Sequence, residues 1–155
     1  MDYRYTGLPA ELFVHLFSLA DAELEARAMR RMIADEKPGF PCRITLEDAE
    51  PGERVLLLPY EHQPTRSPFR AAGPIFVREA ACRSFDRVGQ PPEVLRTRTL
   101  SVRAYAGDGM MVDADIVEGR NVEELLARLF DSDATDYAHI HFARRGCYAC
   151  RVERA

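Results

Sequence analysis

The chain is short of the features by which proteins track polyanions or enter bilayers. Lys37 is the only lysine among 21 basic residues, and the arginines occur as singles and pairs such as Arg30-Arg31 and Arg144-Arg145. With a net charge of −4 and a pI near 5.6, there is no basic block of the kind that follows a phosphate backbone, so nucleic acid is not an expected partner. No apolar run approaches the ~18 residues of a membrane span, so no membrane partner is expected either. The opening stretch, MDYRYTGLPAELFVHLFSLADAE, places Asp2, Pro9 and His15 where a secretory signal would be basic and then apolar. A cytoplasmic location follows as the expectation, with all four cysteines reduced. The nucleophile elbow, the His-Glu-x-x-His zinc motif and the glycine-rich dinucleotide loop are all missing, which removes several common enzyme classes.

What is present suits a globular fold. The 155 residues are 46% hydrophobic and 30% charged, enough to bury a core within one domain spanning 1–155. LPAELFVHLF reads as a helix with Leu12, Phe13, Leu16 and Phe17 on one face, and a second helix within DAELEARAM has Asp21 as N-cap. From Cys42 the period falls to two, with Cys42, Ile44 and Leu46 alternating against Arg43, Thr45 and Glu47 as a half-buried strand. RVLLLPY, apolar on both faces, suits a central strand, and PIFVR is another. TLSVRAYAGDGMMVDADIV reads as a hairpin closed by Gly107-Asp108-Gly109, a register that pairs Arg103 with Asp113. NVEELLARLF is a helix with Asn121 and Glu124 in a capping-box arrangement. The order predicts an α+β fold: a mostly antiparallel sheet, two N-terminal helices, and one helix between two C-terminal hairpins.

The second hairpin, HIHFARRGCYACRV over 139–152, gathers two of the four histidines, two of the four cysteines and three arginines into fourteen residues. A three-residue loop Arg144-Arg145-Gly146 sets Phe142 opposite Tyr148 and puts Ile140, Phe142, Tyr148, Cys150 and Val152 on one face. His139, His141, Cys147 and Arg151 then share the other. In that register the sulfurs of Cys147 and Cys150 fall on opposite faces, which argues against a Cys-x-x-Cys metal or redox site. His139, His141 and Cys147 form the candidate catalytic set. The nearby arginines favour a nucleophilic Cys147, with a histidine as base. The competing reading is a solvated sheet face that happens to carry polar residues. Metal and cofactor are left open.

The connection from Glu61 to Gly73 is long for a small domain. His62, Arg66, Ser67 and Arg70, together with Arg151 from the hairpin, form a candidate ligand-binding set whose forked guanidiniums suit a carboxylate or phosphate. The competing reading is a solvated loop with its arginines paired to nearby acids.

At PGFPCR (38–43), GPIFVRE (73–79) and GCYACRV (146–152) the sequence resembles a family of bacterial proteins catalogued as a domain of unknown function. The resemblance implies a bacterial protein that is one complete domain, and it supplies no activity or catalytic residues. The expected function is therefore that of a small cytosolic protein binding a small anionic molecule, with thiol- or metal-assisted chemistry as an extension. The alternative is a non-catalytic interaction or structural module. Homo-oligomerisation is left open.

Overall fold

The computed structural model describes residues 1–155. Its strands are β1 (Tyr3–Thr6), β2 (Arg30–Ile33), β3 (Arg54–Gln63), β4 (Ala71–Arg78), β5 (Asp86–Val88), β6 (Thr99–Tyr105), β7 (Met111–Glu118), β8 (Tyr137–Phe142) and β9 (Tyr148–Arg154). Its α-helices are α1 (Asp21–Ala26), α2 (Glu93–Arg96) and α3 (Val122–Phe130). The fold is α+β with antiparallel sheets: six strands in the order β5-β1-β9-β8-β6-β7 and three in the order β2-β3-β4. No helix is long and apolar enough to cross a membrane.

Period-two patterning explains the layering. Leu100, Val102 and Ala104 of β6 and Ile140 of β8 are fully buried against α2 and α3, which contribute Val94, Leu95, Leu126 and Leu129. The opposite face of the large sheet meets the small one, and Tyr148 of β9 packs with Leu56, Leu58, Ile75 and Val77. RVLLLPY is the centre of the small sheet, as its two apolar faces require. The sheet face expected to be solvated is thus an interface between two sheets.

Several local expectations are corrected. The first N-terminal helix is two 3-10 turns, Ala10–Leu12 and Val14–Ser18, which bury Phe13 and Leu16 but leave Leu12 exposed. Asp21 is the first helical residue, not the cap, and Glu23 accepts from the Ala20 N–H at 3.4 Å. Asn121 makes no side-chain cap, because α3 is entered from a 3-10 turn over Gly119–Asn121. The segment from Phe40 to Ile44 is not a half-exposed strand: all five residues are buried. The Leu46 N–H returns to the Cys42 carbonyl at 3.0 Å, closing a turn. Alternation fails there because Arg43 points inward and finds partners.

Both hairpins carry a bulge. In β6-β7 the loop is as expected, with Ala106 N–H donating to Met110 O at 2.9 Å and Gly109 at φ +85°. Beyond Tyr105↔Met111 the pairing slips by one, so that Ala104 faces Asp113 and Arg103 faces Ala114. A one-residue slip exchanges the faces. The expected Arg103–Asp113 pair is replaced by Arg128 of α3, which forks to Asp113 at 2.9 Å and Asp115 at 2.8 Å.

Candidate functional site

In the terminal hairpin the loop has four residues, because the Phe142 N–H pairs with the Cys147 carbonyl at 2.9 Å and Gly146 at φ +78° closes the turn. His141 then faces Tyr148, a bulge at Ala149 absorbs one residue, and Ile140↔Cys150 and His139↔Arg151 follow as expected. Phe142 therefore does not face Tyr148. The bulge puts Tyr148 on the histidine face and turns Cys147 to the other, where it packs with Cys150 against the larger core. The two sulfurs share a face, contrary to the alternation expected.

The histidine face is completed from the small sheet. Leu56, Leu58, Tyr60 and His62 alternate along β3, so the apolar pattern that seats this strand also delivers His62 across the interface. His62 belongs to the strand, and the connecting loop is only 64–70. Its ring centroid lies 5.0 Å from that of His141, 6.1 Å from that of His139 and 5.2 Å from that of Tyr148, on which it stacks. A buried hydrogen bond from Gln63 Nε2 to the Tyr137 hydroxyl, 2.9 Å, pins the end of β3 to β8.

The three imidazoles are short of partners. His139 and His141 are 2% and 1% exposed. His62 Nδ1, His139 Nδ1 and His141 Nε2 are buried without a hydrogen bond. The Nδ1 of His141 faces the Gly146 carbonyl at 3.0 Å, so in the neutral ring it carries the proton and Nε2 presents a lone pair. Burial drives the pKa of His139 down to about 3, reinforced by Arg151. Burial likewise takes His141 to about 3, with the Gly146 carbonyl opposing and Arg103 assisting. Burial and then Arg103 lower His62, against a weaker upward pull from the Tyr60 backbone. All three rings are neutral near pH 7. They are not arranged around a common point that a metal ion could fill.

Two guanidiniums border the rings. Arg103 of β6 faces His139 directly, donates to Ser101 Oγ at 3.4 Å and has no carboxylate partner. Arg151 lies 3.9 Å over the Tyr137 ring and is paired with Glu153. Of the residues expected to bind a ligand, His62 and Arg151 reach the site. Arg70 is tied to Glu61 at 3.1 Å and Arg66 is exposed on the loop. Ser67 fastens that loop, donating to the Gly109 carbonyl at 2.9 Å. Gly109 is also closely approached by Thr65, whose Oγ1 would lie 2.2 Å from any Cβ there. A cavity of about 310 Å³ beside Tyr3, Tyr5 and Phe130 contains none of these groups.

Cys147 has a different neighbour. Arg43, 1% exposed, donates Nη2 to Cys147 Sγ at 3.0 Å, Nε to the Tyr148 carbonyl at 2.7 Å and Nη1 to the Pro41 carbonyl at 2.6 Å. It also lies 5.0 Å over the Phe142 ring. The three sequence motifs thereby converge: Arg43 of PGFPCR holds GCYACRV, and Phe40 of PGFPCR packs on Phe76 of GPIFVRE at 5.1 Å. Sequence reasoning missed Arg43, Arg103, Tyr148 and Tyr137 as parts of the site. For Arg103 a signal existed, since it alternates with the buried Leu100, Val102 and Ala104 and so must face the other way.

The model of the family described as "Protein of unknown function (DUF1203)" matches residues 39–154, and the chain belongs to that family. Neither a curated protein nor a solved structure matches it.

Proposed function

We propose that the chain binds a small anion at the seam between its sheets, with Arg103 as the counter-charge, His62 and His139 as ring N–H donors, and the His141 Nε2 lone pair open only to a hydroxyl proton that the anion carries. The observation that carries this reading is the set of three buried ring nitrogens without partners beside a guanidinium that no carboxylate neutralises. An unsatisfied buried polar atom costs ~1–3 kcal/mol, and three together are an arrangement that a guest offsets and a finished core would avoid. Neutral imidazoles contribute an N–H or a lone pair without adding charge, so specificity comes from geometry and attraction from Arg103. No thiol step belongs to this reading, because Cys147 lies on the other face. A cytoplasmic setting is part of it, supported by four cysteines that are all free, and a bacterial one on the family resemblance alone.

The test is a titration of the protein with acetate and with inorganic phosphate, followed through the imidazole proton and nitrogen resonances at pH 7. Saturable shifts at His62, His139 and His141 are expected with at least one anion, and Arg103→Gln should abolish them. Unmoved imidazole signals at high anion concentration would overturn the reading.

A further inference from the structure

Cross-strand register lays two rows over the histidine face. One runs Ile116, Ser101, His141, Tyr148 across β7, β6, β8 and β9, and the next runs Ala114, Arg103, His139, Arg151. Neighbouring strands are ~4.8 Å apart, so Ile116 stands on the order of 10 Å from His141 along its row. The small sheet covers the β8-β9 part of this face, while β7, the edge strand, is bare: Ile116 is 66% exposed, and Ala114 is exposed beside it. A lone exposed isoleucine is unremarkable. This one adjoins the half-buried Ser101 in its own row, with the half-buried Arg103 of the anion site in the next. Beyond it Glu118 faces Thr99, whose Oγ1 donates to the Glu118 carboxylate at 3.0 Å.

We infer that the anion is the carboxylate of an aliphatic monoacid, held at Arg103 and Ser101 over the imidazoles, with its chain lying outward across Ala114 and Ile116. The inference rests on the anion reading above and adds the ligand class. Charge complementarity sets the direction: the cation lies inside, the apolar strip follows, and the Glu118 carboxylate at the far end repels a second negative group. A diacid of the same length is therefore disfavoured.

Calorimetric titration with acetate, octanoate, suberate and octylamine, below micelle-forming concentrations and at constant ionic strength, tests this. A fully buried methylene is worth roughly fourfold in affinity, so a chain partly covered over several methylenes should bind at least about tenfold more tightly than acetate. Suberate should fall back toward acetate, octylamine should not bind, and Ile116→Ser should collapse the ratio of octanoate to acetate affinity. If acetate binds and octanoate binds no better, the chain assignment fails while the anion site stands. Octylamine binding as well as octanoate would also sink it, as indiscriminate apolar adsorption. If neither acetate nor octanoate binds, the monoacid assignment fails, and the anion reading fails with it only where inorganic phosphate also leaves the imidazole signals unmoved.

Discussion

The two faces of the terminal hairpin treat buried polar groups in opposite ways. On one, Arg43 is enclosed and each of its three nitrogens has an acceptor. On the other, His139 and His141 are enclosed to nearly the same degree, His62 is half-buried beside them, and each of the three leaves a buried ring nitrogen unpaired. Burial does not distinguish them; satisfaction does. A buried charge with a partner on every nitrogen holds chain segments together, here the 38–43 stretch and the hairpin. A buried cluster with unused donors and acceptors weakens the fold for something else, and binding sites are where proteins accept such a cost.

The largest expected effect breaks the satisfied side. Arg43→Met keeps much of the volume but leaves the Tyr148 and Pro41 carbonyls buried without donors, and should cost ~3–5 kcal/mol at ~1–3 kcal/mol per orphaned group plus the lost stacking on Phe142. His139→Leu removes an atom that has no partner and should change stability by less than ~1 kcal/mol, in either direction. Urea midpoints for the two variants give the comparison directly. Equal losses would mean that the histidines are as structural as the arginine.

Acid is the next lever, and it acts on the unsatisfied side. His139 and His141 have native pKa values of about 3 against ~6.5 in an unfolded chain. Between these values the unfolded state binds more protons, so stability is at its full value above pH ~6.5 and declines as the pH falls toward the native values. Each histidine contributes ~1.4 kcal/mol per pH unit in that window, or on the order of 3–4 kcal/mol for the pair by pH 5, above the range where carboxylates titrate. His62 acts with the same sign. Unfolding free energies at pH 7 and pH 5 should show this loss. The double variant His139→Leu/His141→Leu should flatten the slope, and parallel slopes would assign the acid sensitivity elsewhere.

Local pattern reached far along this chain, and it stopped where a distant segment decided the outcome. Continuous apolar runs placed β3 and β4, alternation placed the buried face of β6, and glycine chemistry placed the turns at Gly109 and Gly146. The bulges at Val112 and Ala149 were not legible, since each is set by what must be filled: Tyr148 beneath His62, and Asp113 and Asp115 within reach of Arg128. In the first hairpin the pairing near the turn was as expected and the far end slipped; in the second the far end was as expected and the turn slipped. His139 and His141 were visible as a pair, but their burial was not, because it depends on a second sheet that lies up to 111 residues earlier. Arg43 could not be found from spacing, as two of its three partners are more than 100 residues away.

The smallest effect concerns Cys147 and separates the two faces kinetically. A histidine acting as base would require both groups on one side of the sheet, and the Ala149 bulge puts them on opposite sides. The group facing the sulfur is instead the Arg43 guanidinium at 3.0 Å, which stabilises negative charge developing there. Cys147 is half-buried, Cys82 is exposed without such a neighbour, and Cys42 and Cys150 are enclosed. Brief alkylation with iodoacetamide at neutral pH should therefore label Cys147 a few-fold faster than Cys82, with electrostatics outweighing the loss of access, and leave Cys42 and Cys150 until unfolding. A few-fold rate corresponds to less than ~1.4 kcal/mol. His141→Ala should leave the ratio of Cys147 to Cys82 labelling unchanged, because the imidazole lies across the strand. Peptide mapping of both proteins reads the ratio. A drop on removing His141 would mean that the thiol and the imidazoles work as one site, and the division of the hairpin into a satisfied face and an open one would fail.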